Sequence, residues 1–355
     1  MFKETYPETI HVAFYPYTYV RVMAMKGKLY QRQDYNKLLK MQGSEIAHYL
    51  EDSDYKDEIL HLSKEYTGYT LVERVIYKNF VRNLQKLQQI CSSEMNYLIR
   101  AYVMRYDIYN LKTILRAKAA HQTLAEVKPL LLPMGLFSQE KLESFLELES
   151  LSIILKKAGF SERDFTDALA YYTKEKSLLE VENILDKQYY SYLFDFQTHL
   201  AGEHQLFKEL LQSEIDVLNL KLLLRMKLQN LDDHRLNNFF FNGGSLFSQS
   251  RLRALVKLDF EGIIIELGNT GIKKLVARHS DELAQKNLKG FEKSLDVWLL
   301  QKSTLLLHQF PLSVDTLLGY MFAKEIEMRN LRIIVKGKQF NLQENFLAQQ
   351  LIIGG

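Results

Sequence analysis

The sequence predicts an all-α protein made of three similar helical units of about 110 residues each. A twelve-residue motif occurs three times, at steps of 109 and 111 residues. Proline is confined to positions 7, 16, 129, 133 and 311, so residues 134–310 contain none. Apolar residues recur at helical spacing, and alternating strand patterns are scarce. These three observations favour packed helices over sheets.

The motif reads acid-x-x-Asn-Leu-basic-x-x-apolar-basic-x-Lys. Its first three fixed positions, which we expect to be structural, are Asp107, Asn110 and Leu111; Asp216, Asn219 and Leu220; and Glu327, Asn330 and Leu331. In the first copy, Leu111 and Ile114 fall on one broad apolar face at about 100° per residue. Asp107 and Lys118 are about 16 Å apart along such a helix, so each must find a partner elsewhere.

Two further landmarks keep the same period. Leu136-Phe137-Ser138 returns as Leu246-Phe247-Ser248, and Leu185-Asp186 returns as Leu295-Asp296, each at a step of 110 residues. Both serines precede a helical pattern, where a hydroxyl can accept a hydrogen bond from a free backbone amide, so we predict N-caps at these positions.

The period places the units at 1–119, 120–229 and 230–355, the last with a C-terminal tail. The first unit is the most diverged. Gly27–Tyr30 matches Gly135-Leu136-Phe137 only loosely, and no convincing counterpart of Leu-Asp lies near Val75–Ile76. The glycine-bounded run Gly262–Gly268 is compatible with a strand or with a buried helical turn, and we favour the helix.

Each motif also carries two basic residues four positions apart, on the side of the helix roughly opposite its acid. They are Lys112 and Arg116, Lys221 and Arg225, and Arg332 and Lys336. In one interpretation, side-chain hydrogen bonds tie each helix to its neighbours. In the other, the basic residues line a common inner surface and bind a partner. Because a structural device must be rebuilt in every unit, repetition favours the first interpretation for the acid and the asparagine.

Composition limits the class of protein. Lys and Arg number 46 against 43 acidic residues, a formal charge of +3 that does not indicate a nucleic-acid partner. The single cysteine, Cys91, excludes an internal disulfide and fits a reducing compartment. The first residues lack the apolar core of a signal peptide, and no stretch reaches the ~18 apolar residues of a membrane span. We expect a soluble protein that contacts membranes only peripherally or through a partner.

Catalytic signatures are missing. Gly27-Lys28 lacks the spacing and the hydroxyl of a phosphate-binding loop. No histidine pattern matches a metal site, and no nucleophile signature surrounds Cys91, which we expect to be a buried thiol. We therefore predict no catalytic residue, no cofactor and no metal.

Together with the opening Tyr15-Pro16-Tyr17-x-Tyr19-x-Arg21, the three motifs resemble those of one family. It is the central-stalk socket subunit of V-type and A-type rotary ATPases, called C in prokaryotic complexes and d in eukaryotic ones. The resemblance runs from Tyr15 to about Lys338. The third motif departs from the others through Glu327, Arg332 and Lys336, which keep the charge but change the contact geometry.

The resemblance implies three helical units around a pseudo-threefold axis, forming a funnel. Its wide opening would receive the foot of the rotating central shaft, and its opposite side would sit on the membrane rotor ring of proteolipid subunits. Such a subunit occurs as a single copy on the cytoplasmic face of the membrane and is itself non-catalytic. It couples ATP hydrolysis in the soluble head to proton or sodium transport. The alternative is a helical scaffold or adaptor unrelated to rotary ATPases.

Overall fold

The computed structural model describes residues 7–12, 16–202, 205–229, 233–306 and 314–353. Tyr15, the first residue of the aromatic opening, lies outside the described residues. Up to residue 130 the elements are β1 (Ile10–Val12), α1 (Pro16–Lys26), α2 (Arg32–Leu38), α3 (Gly43–Glu51), α4 (Lys56–Leu62), α5 (Gly68–Ile90), α6 (Ser93–Ala119), α7 (Leu124–Val127) and a 3-10 turn (Lys128–Leu130).

The second part of the chain is also helical. Its elements are α8 (Gln139–Glu147), α9 (Leu151–Lys157), a 3-10 turn (Glu162–Phe165), α10 (Thr166–Glu175), α11 (Leu179–Thr198), β2 (Leu200–Gly202), α12 (Gln205–Leu228), α13 (Asp233–Phe239), α14 (Gln249–Val256), α15 (Phe260–Leu267), α16 (Lys273–Arg278), α17 (Ser280–Ala284), α18 (Lys289–Leu306), α19 (Val314–Gln339) and α20 (Glu344–Gln350). The predicted all-α class is confirmed.

The chain divides into two compact units. The first combines the described residues of Met1–Val12 with Asn83–Gly202. Its core forms where α11 packs against α6 and α10 packs against α11. Strands β1 and β2 pair in parallel at one edge, with Ile10 opposite Leu200.

The second compact unit combines the described residues of Ala13–Arg82 with Glu203–Gly355. Here α18 packs against both α12 and α19, and α1, α3 and α20 pack against α19. Segments from both ends of the chain therefore share one core. The repeat boundaries at 119/120 and 229/230 and the pseudo-threefold funnel stay predictions.

Local signals in the sequence position several helices. The hydroxyls of Ser138 and Ser248 accept hydrogen bonds of 3.3 Å from the backbone amides of Lys141 and Arg251, which confirms both predicted N-caps. The run Gly262–Gly268 belongs to helix α15, so the helical interpretation is also confirmed.

Two motif helices end in the same way. His121 follows α6 with φ 54°, and Asn341 follows α19 with φ 54°. Beyond them, the amides of Gln122 and Leu342 donate to carbonyls five residues earlier in the chain, at 2.9 and 2.8 Å. This left-handed C-terminal cap turns the chain back over the helix that it has just left. Among the described residues, no helix combines the length and apolar character that a membrane crossing requires.

Candidate functional site

The three motifs lie on the long helices α6, α12 and α19, whose acids and asparagines are buried. The exposed fraction is 0% for Asp107 and 2% for Asp216 and Glu327, and 0% for each motif asparagine. Buried polar groups of this kind need hydrogen-bond partners inside the protein.

Each motif asparagine binds the backbone of one residue that lies 22 positions later in the chain. Its side-chain oxygen accepts from that residue's amide, and its side-chain nitrogen donates to the same residue's carbonyl. The distances are 2.7 and 2.7 Å from Asn110 to Leu132, 2.8 and 2.9 Å from Asn219 to Phe241, and 2.8 and 2.7 Å from Asn330 to Ile352. The asparagine thus holds the segment that follows its own helix.

The acids of the first two motifs bind backbone amides of the loops that contain the Leu-Phe-Ser landmark. Asp107 accepts from the amides of Leu136 and Phe137 at 2.6 and 3.2 Å. Burial raises the pKa of Asp107 to about 7, and the two backbone hydrogen bonds oppose that rise. The loop comes close because residue 135 is glycine: a Cβ atom on Gly135 would lie 2.1 Å from Oδ2 of Asp107. Asp216 repeats this arrangement with three amides of the Ser245–Phe247 loop, at 2.8 to 3.0 Å.

The third acid finds its partners near the other end of the chain. Glu327 accepts from the amide of Tyr30, from the hydroxyl of Tyr55 and from the ammonium of Lys324, each at 2.6 Å. The side chains of Lys324 and Glu327 are 3% and 2% exposed, so this ion pair is buried. The amide of Tyr30 thus binds the acid of the third motif as the amides of Leu136 and Phe137 bind the acid of the first. This agrees with the loose sequence match of Gly27–Tyr30 to that loop.

The basic residues of the first two motifs each face a carboxylate on one neighbouring helix. The pairs are Lys112 with Asp186 at 2.8 Å, Arg116 with Glu182 at 2.6 Å, Lys221 with Asp296 at 2.6 Å and Arg225 with Glu292 at 2.6 Å. Both arginines bind their glutamates through two nitrogens. The Leu-Asp landmark is therefore the counter-charge of the motif lysine.

The third basic pair binds helix α5. Lys336 lies 2.8 Å from Glu73, and the guanidinium of Arg332 lies over the ring of Tyr77, 4.7 Å from its centre. Glu73 and Tyr77 are four residues apart, like Glu182 and Asp186. This counterpart of the Leu-Asp landmark cannot be recognised in the sequence because Tyr77 replaces the aspartate. Only the glutamate four residues earlier, Glu73, is shared with the other repeats.

These contacts support the structural interpretation of the motif, while its role in binding a partner stays a prediction. The structure brings Lys221, Arg225 and Lys336 to the wall of one cavity of about 500 Å³, between α12, α18, α19 and α20. We call this cavity the basic groove. Arg332 is not among its lining residues, and Lys112 and Arg116 belong to the first compact unit.

The described residues include no group of three or more His, Cys, Asp or Glu side chains that could hold a metal ion. Cys91 is partly exposed, which corrects the expectation of a buried thiol. Partial burial still raises the pKa of the Cys91 thiol to about 12, so the nucleophilic thiolate is rare at neutral pH.

One contact resembles part of a hydrolase triad. His279 lies 2.7 Å from the hydroxyl of Ser294 and 3.3 Å from the carboxylate of Glu282. Ser294 occupies an interior position of helix α18, where backbone amides bond within the helix and cannot serve as an oxyanion hole. The histidine is best explained as a bridge between α17 and α18.

Known proteins match almost the whole chain. The model of a family described as ATP synthase (C/AC39) subunit matches residues 18–350. The C subunit of the A-type ATP synthase of Methanococcoides burtonii is 31% identical over 344 residues, which cover 96% of this chain and 94% of the relative. The proteins of the same name from Methanosarcina acetivorans and Haloferax volcanii are 31% and 28% identical, over 96% and 95% of this chain and 93% and 97% of their own lengths. With the family model and the relatives spanning nearly its full length, this chain belongs to the ATP synthase (C/AC39) subunit family.

Proposed function

We propose that this chain is a non-catalytic central-stalk subunit of a V-type or A-type rotary ATPase. It couples the rotating shaft of the ATP-hydrolysing head to the membrane rotor ring, for proton or sodium transport. The observation that carries the proposal is the match, over nearly the whole chain, to the family and to proteins named as the C subunit of A-type ATP synthases. A scaffold of unrelated function has no comparable support.

The described contacts fit the mechanical demand on a torque-transmitting part. Each motif helix is fastened to the segment around it by a buried acid, a two-point asparagine contact and ion pairs. Hydrogen bonds to buried backbone and bidentate arginine pairs fix geometry as well as adding stability. The proposed shape, a pseudo-threefold funnel, would place the shaft at one end and the proteolipid ring at the other, on the cytoplasmic face of the membrane.

The test is affinity purification of the tagged protein from native membranes after mild detergent extraction, followed by mass spectrometry. We expect shaft, head and proteolipid subunits in near-stoichiometric amounts, with one copy of this chain per complex. A clean preparation that contains none of these subunits would reject the coupling role and leave the scaffold alternative.

The two interpretations of Lys112 and Arg116 can be separated by a charge swap. Reversing both residues to Glu places them against Asp186 and Glu182 and should destabilise the fold. Changing the two acids to Lys as well restores opposite charges across α6 and α11. If the residues serve the fold alone, the fourfold variant regains both stability and binding to the purified shaft. If they contact the shaft, it regains thermal stability but not binding.

A further inference from the structure

The basic groove carries more positive charge than the repeated motif requires. Six cationic side chains line it: Lys221, Arg225, Lys289, Lys293, Arg329 and Lys336. The lining carboxylates are Glu292 and Asp296, and Glu73 pairs with Lys336 from outside the lining. Three cations are therefore in excess.

The excess resides on Lys289, Lys293 and Arg329. The motif residues Lys221, Arg225 and Lys336 have their carboxylate partners at 2.6 to 2.8 Å. Lys289 lies 4.3 Å from the ring centre of Phe346, and Lys293 donates to the carbonyl of Gln349; neither contact neutralises a charge. Arg329 is exposed and forms no ion pair within the described part of the chain.

The other repeats lack Lys289 and Arg329 at the equivalent positions. Aligning Glu292 with Glu182 places Leu179 and Asn183 of α11 where α18 has Lys289 and Lys293, and aligning it with Glu73 places Thr70 and Arg74 of α5 there. Aligning the motifs places Tyr109 and Leu218 where α19 has Arg329. A device that holds the fold must recur in each repeat, whereas a contact with a partner needs to occur only once. Lys289 and Arg329 follow the second pattern, whereas Lys293 has a cationic counterpart in Arg74.

Apolar side chains border the same groove. Phe340 is 71% exposed, Leu342 43% and Phe346 38%, and all three line the cavity. Aligning the motifs places Ala120, directly after α6, where Phe340 directly follows α19. Exposed aromatic and aliphatic side chains next to unneutralised cations are typical of surfaces that another molecule covers.

We propose that the basic groove binds an acidic segment of the shaft that also carries apolar side chains, so this sector of the subunit grips the shaft. The inference rests on the proposed function and adds the location and the chemistry of the contact. Charge complementarity selects the occupant: three unneutralised cations attract carboxylates, and the bordering phenylalanines contact apolar side chains between them. A concave groove of about 500 Å³ accommodates the side chains of a protein segment.

The experiment measures binding of the purified shaft to the full-length protein by titration calorimetry at two salt concentrations. The test variant K289E/R329E reverses two excess cations and leaves Lys293, which holds α20, in place. We expect its affinity to fall about tenfold or more, and the affinity of the unchanged protein to fall as salt rises. F340S should also weaken binding by about tenfold, since an exposed aromatic contact is lost.

Matched controls change the same chemistry elsewhere. K157E/R163E makes the same change in net charge at exposed sites of the first compact unit. I265S removes an apolar side chain that is 69% exposed, close to the value for Phe340. We expect both controls to bind the shaft like the unchanged protein, and all variants to keep their helical circular dichroism and melting temperature.

The outcomes separate the two proposals. Equal shaft affinity in the groove variants and the unchanged protein would overturn the groove assignment and leave the coupling role standing. Failure of the unchanged protein to bind the shaft, and to co-purify with it, would overturn the coupling role itself. Loss of binding to vesicles of anionic phospholipid by K289E/R329E, with shaft binding intact, would assign the groove to a membrane surface and overturn the proposal.

Discussion

The side chain of each motif asparagine forms two hydrogen bonds with the backbone of one residue, one with its amide and one with its carbonyl, like a paired residue in a β-sheet. Asn219, for example, accepts from the amide of Phe241 and donates to its carbonyl, at 2.8 and 2.9 Å. That backbone residue lies in an irregular segment after α13, and its carbonyl also accepts from Nε2 of Gln249 at 2.9 Å. An amide side chain suits this position because it offers one donor and one acceptor side by side without carrying a charge.

Asn219→Leu keeps the approximate size of the side chain but removes both hydrogen bonds to the backbone of Phe241, whose carbonyl still accepts from Nε2 of Gln249 at 2.9 Å. We expect the free energy of unfolding to fall by about 1–3 kcal/mol, the usual cost when a buried polar group loses its hydrogen-bond partner. Urea denaturation followed by circular dichroism measures the change. Asn269→Leu, at an exposed position, is the control and should shift stability by no more than about 0.5 kcal/mol. Equal shifts in the two variants would contradict a special role for Asn219.

Asp107 should make stability depend on pH. Burial raises its pKa from 3.8 to about 7 in the folded protein, so the folded state holds this proton more tightly than the unfolded chain does. The contribution is therefore fully present below about pH 4 and is lost as pH rises to about 7. We expect the unfolding free energy of the native protein to fall relative to that of Asp107→Asn across this range. Denaturation of both proteins at several pH values measures the difference, and a constant difference would contradict the raised pKa.

At the scale of elements, helix α19 differs from α6 and α12 in how its acid is used. Asp107 and Asp216 bind backbone amides of a loop that follows in the chain, whereas Glu327 binds Tyr30, Tyr55 and Lys324. The longer glutamate side chain reaches a separate segment and needs the buried lysine for charge balance. Burial and the nearby charge of Glu327 hold the pKa of Tyr55 well above its ordinary range, so its hydroxyl remains a donor.

A double-mutant cycle tests this buried pair. Glu327→Gln replaces one of the two acceptor oxygens, which bind the Tyr30 amide through Oε2 and Tyr55 and Lys324 through Oε1, with an NH2 group, and it leaves the ammonium of Lys324 buried without a counter-charge. We expect a loss of about 3–5 kcal/mol of stability. Adding Lys324→Met removes the stranded charge, and the double variant should recover at least about 1 kcal/mol of that loss. Strictly additive single effects would show that the two residues are not coupled.

The same elements show which structural features could be predicted from the sequence. Helices, caps and the motif faces follow from spacing, because each depends on residues within one or two turns. The partner of the third motif is different, since Tyr30, Tyr55 and Glu73 precede Glu327 and Lys336 by more than 250 residues. A tyrosine at position 77 also removes the Leu-Asp signal. No periodic pattern indicates the basic groove either, because Lys289 on α18 and Arg329 on α19 do not recur and meet only when those helices pack.

On the scale of the whole molecule, the first two motif helices contact residues that follow them in the chain. The third motif helix makes equivalent contacts with residues near both ends of the chain. Its asparagine binds Ile352, 22 residues later, as in the other motifs. Its acid and its basic residues bind Tyr30, Glu73 and Tyr77, which stand where the other repeats have residues further along the chain. The N-terminal part of the chain therefore supplies to the third motif the contacts that the other two motifs obtain from the residues that follow them.

These contacts between the third motif and the N-terminal part of the chain predict that the N-terminal helices stay in place when the chain is cut after α5. A protease site engineered at Cys91, between α5 and α6, would separate residues 1–90 from the remainder. Because α1 and α3 pack against α19 and Glu327 binds Tyr30 and Tyr55, we expect the two fragments to co-elute in size-exclusion chromatography. In Glu327→Gln, release of the cut fragment should require less urea than in the unchanged protein, since a buried charge is left unpaired. Spontaneous separation of the fragments without denaturant would show that the covalent link, rather than these buried contacts, holds the N-terminal helices to the third motif.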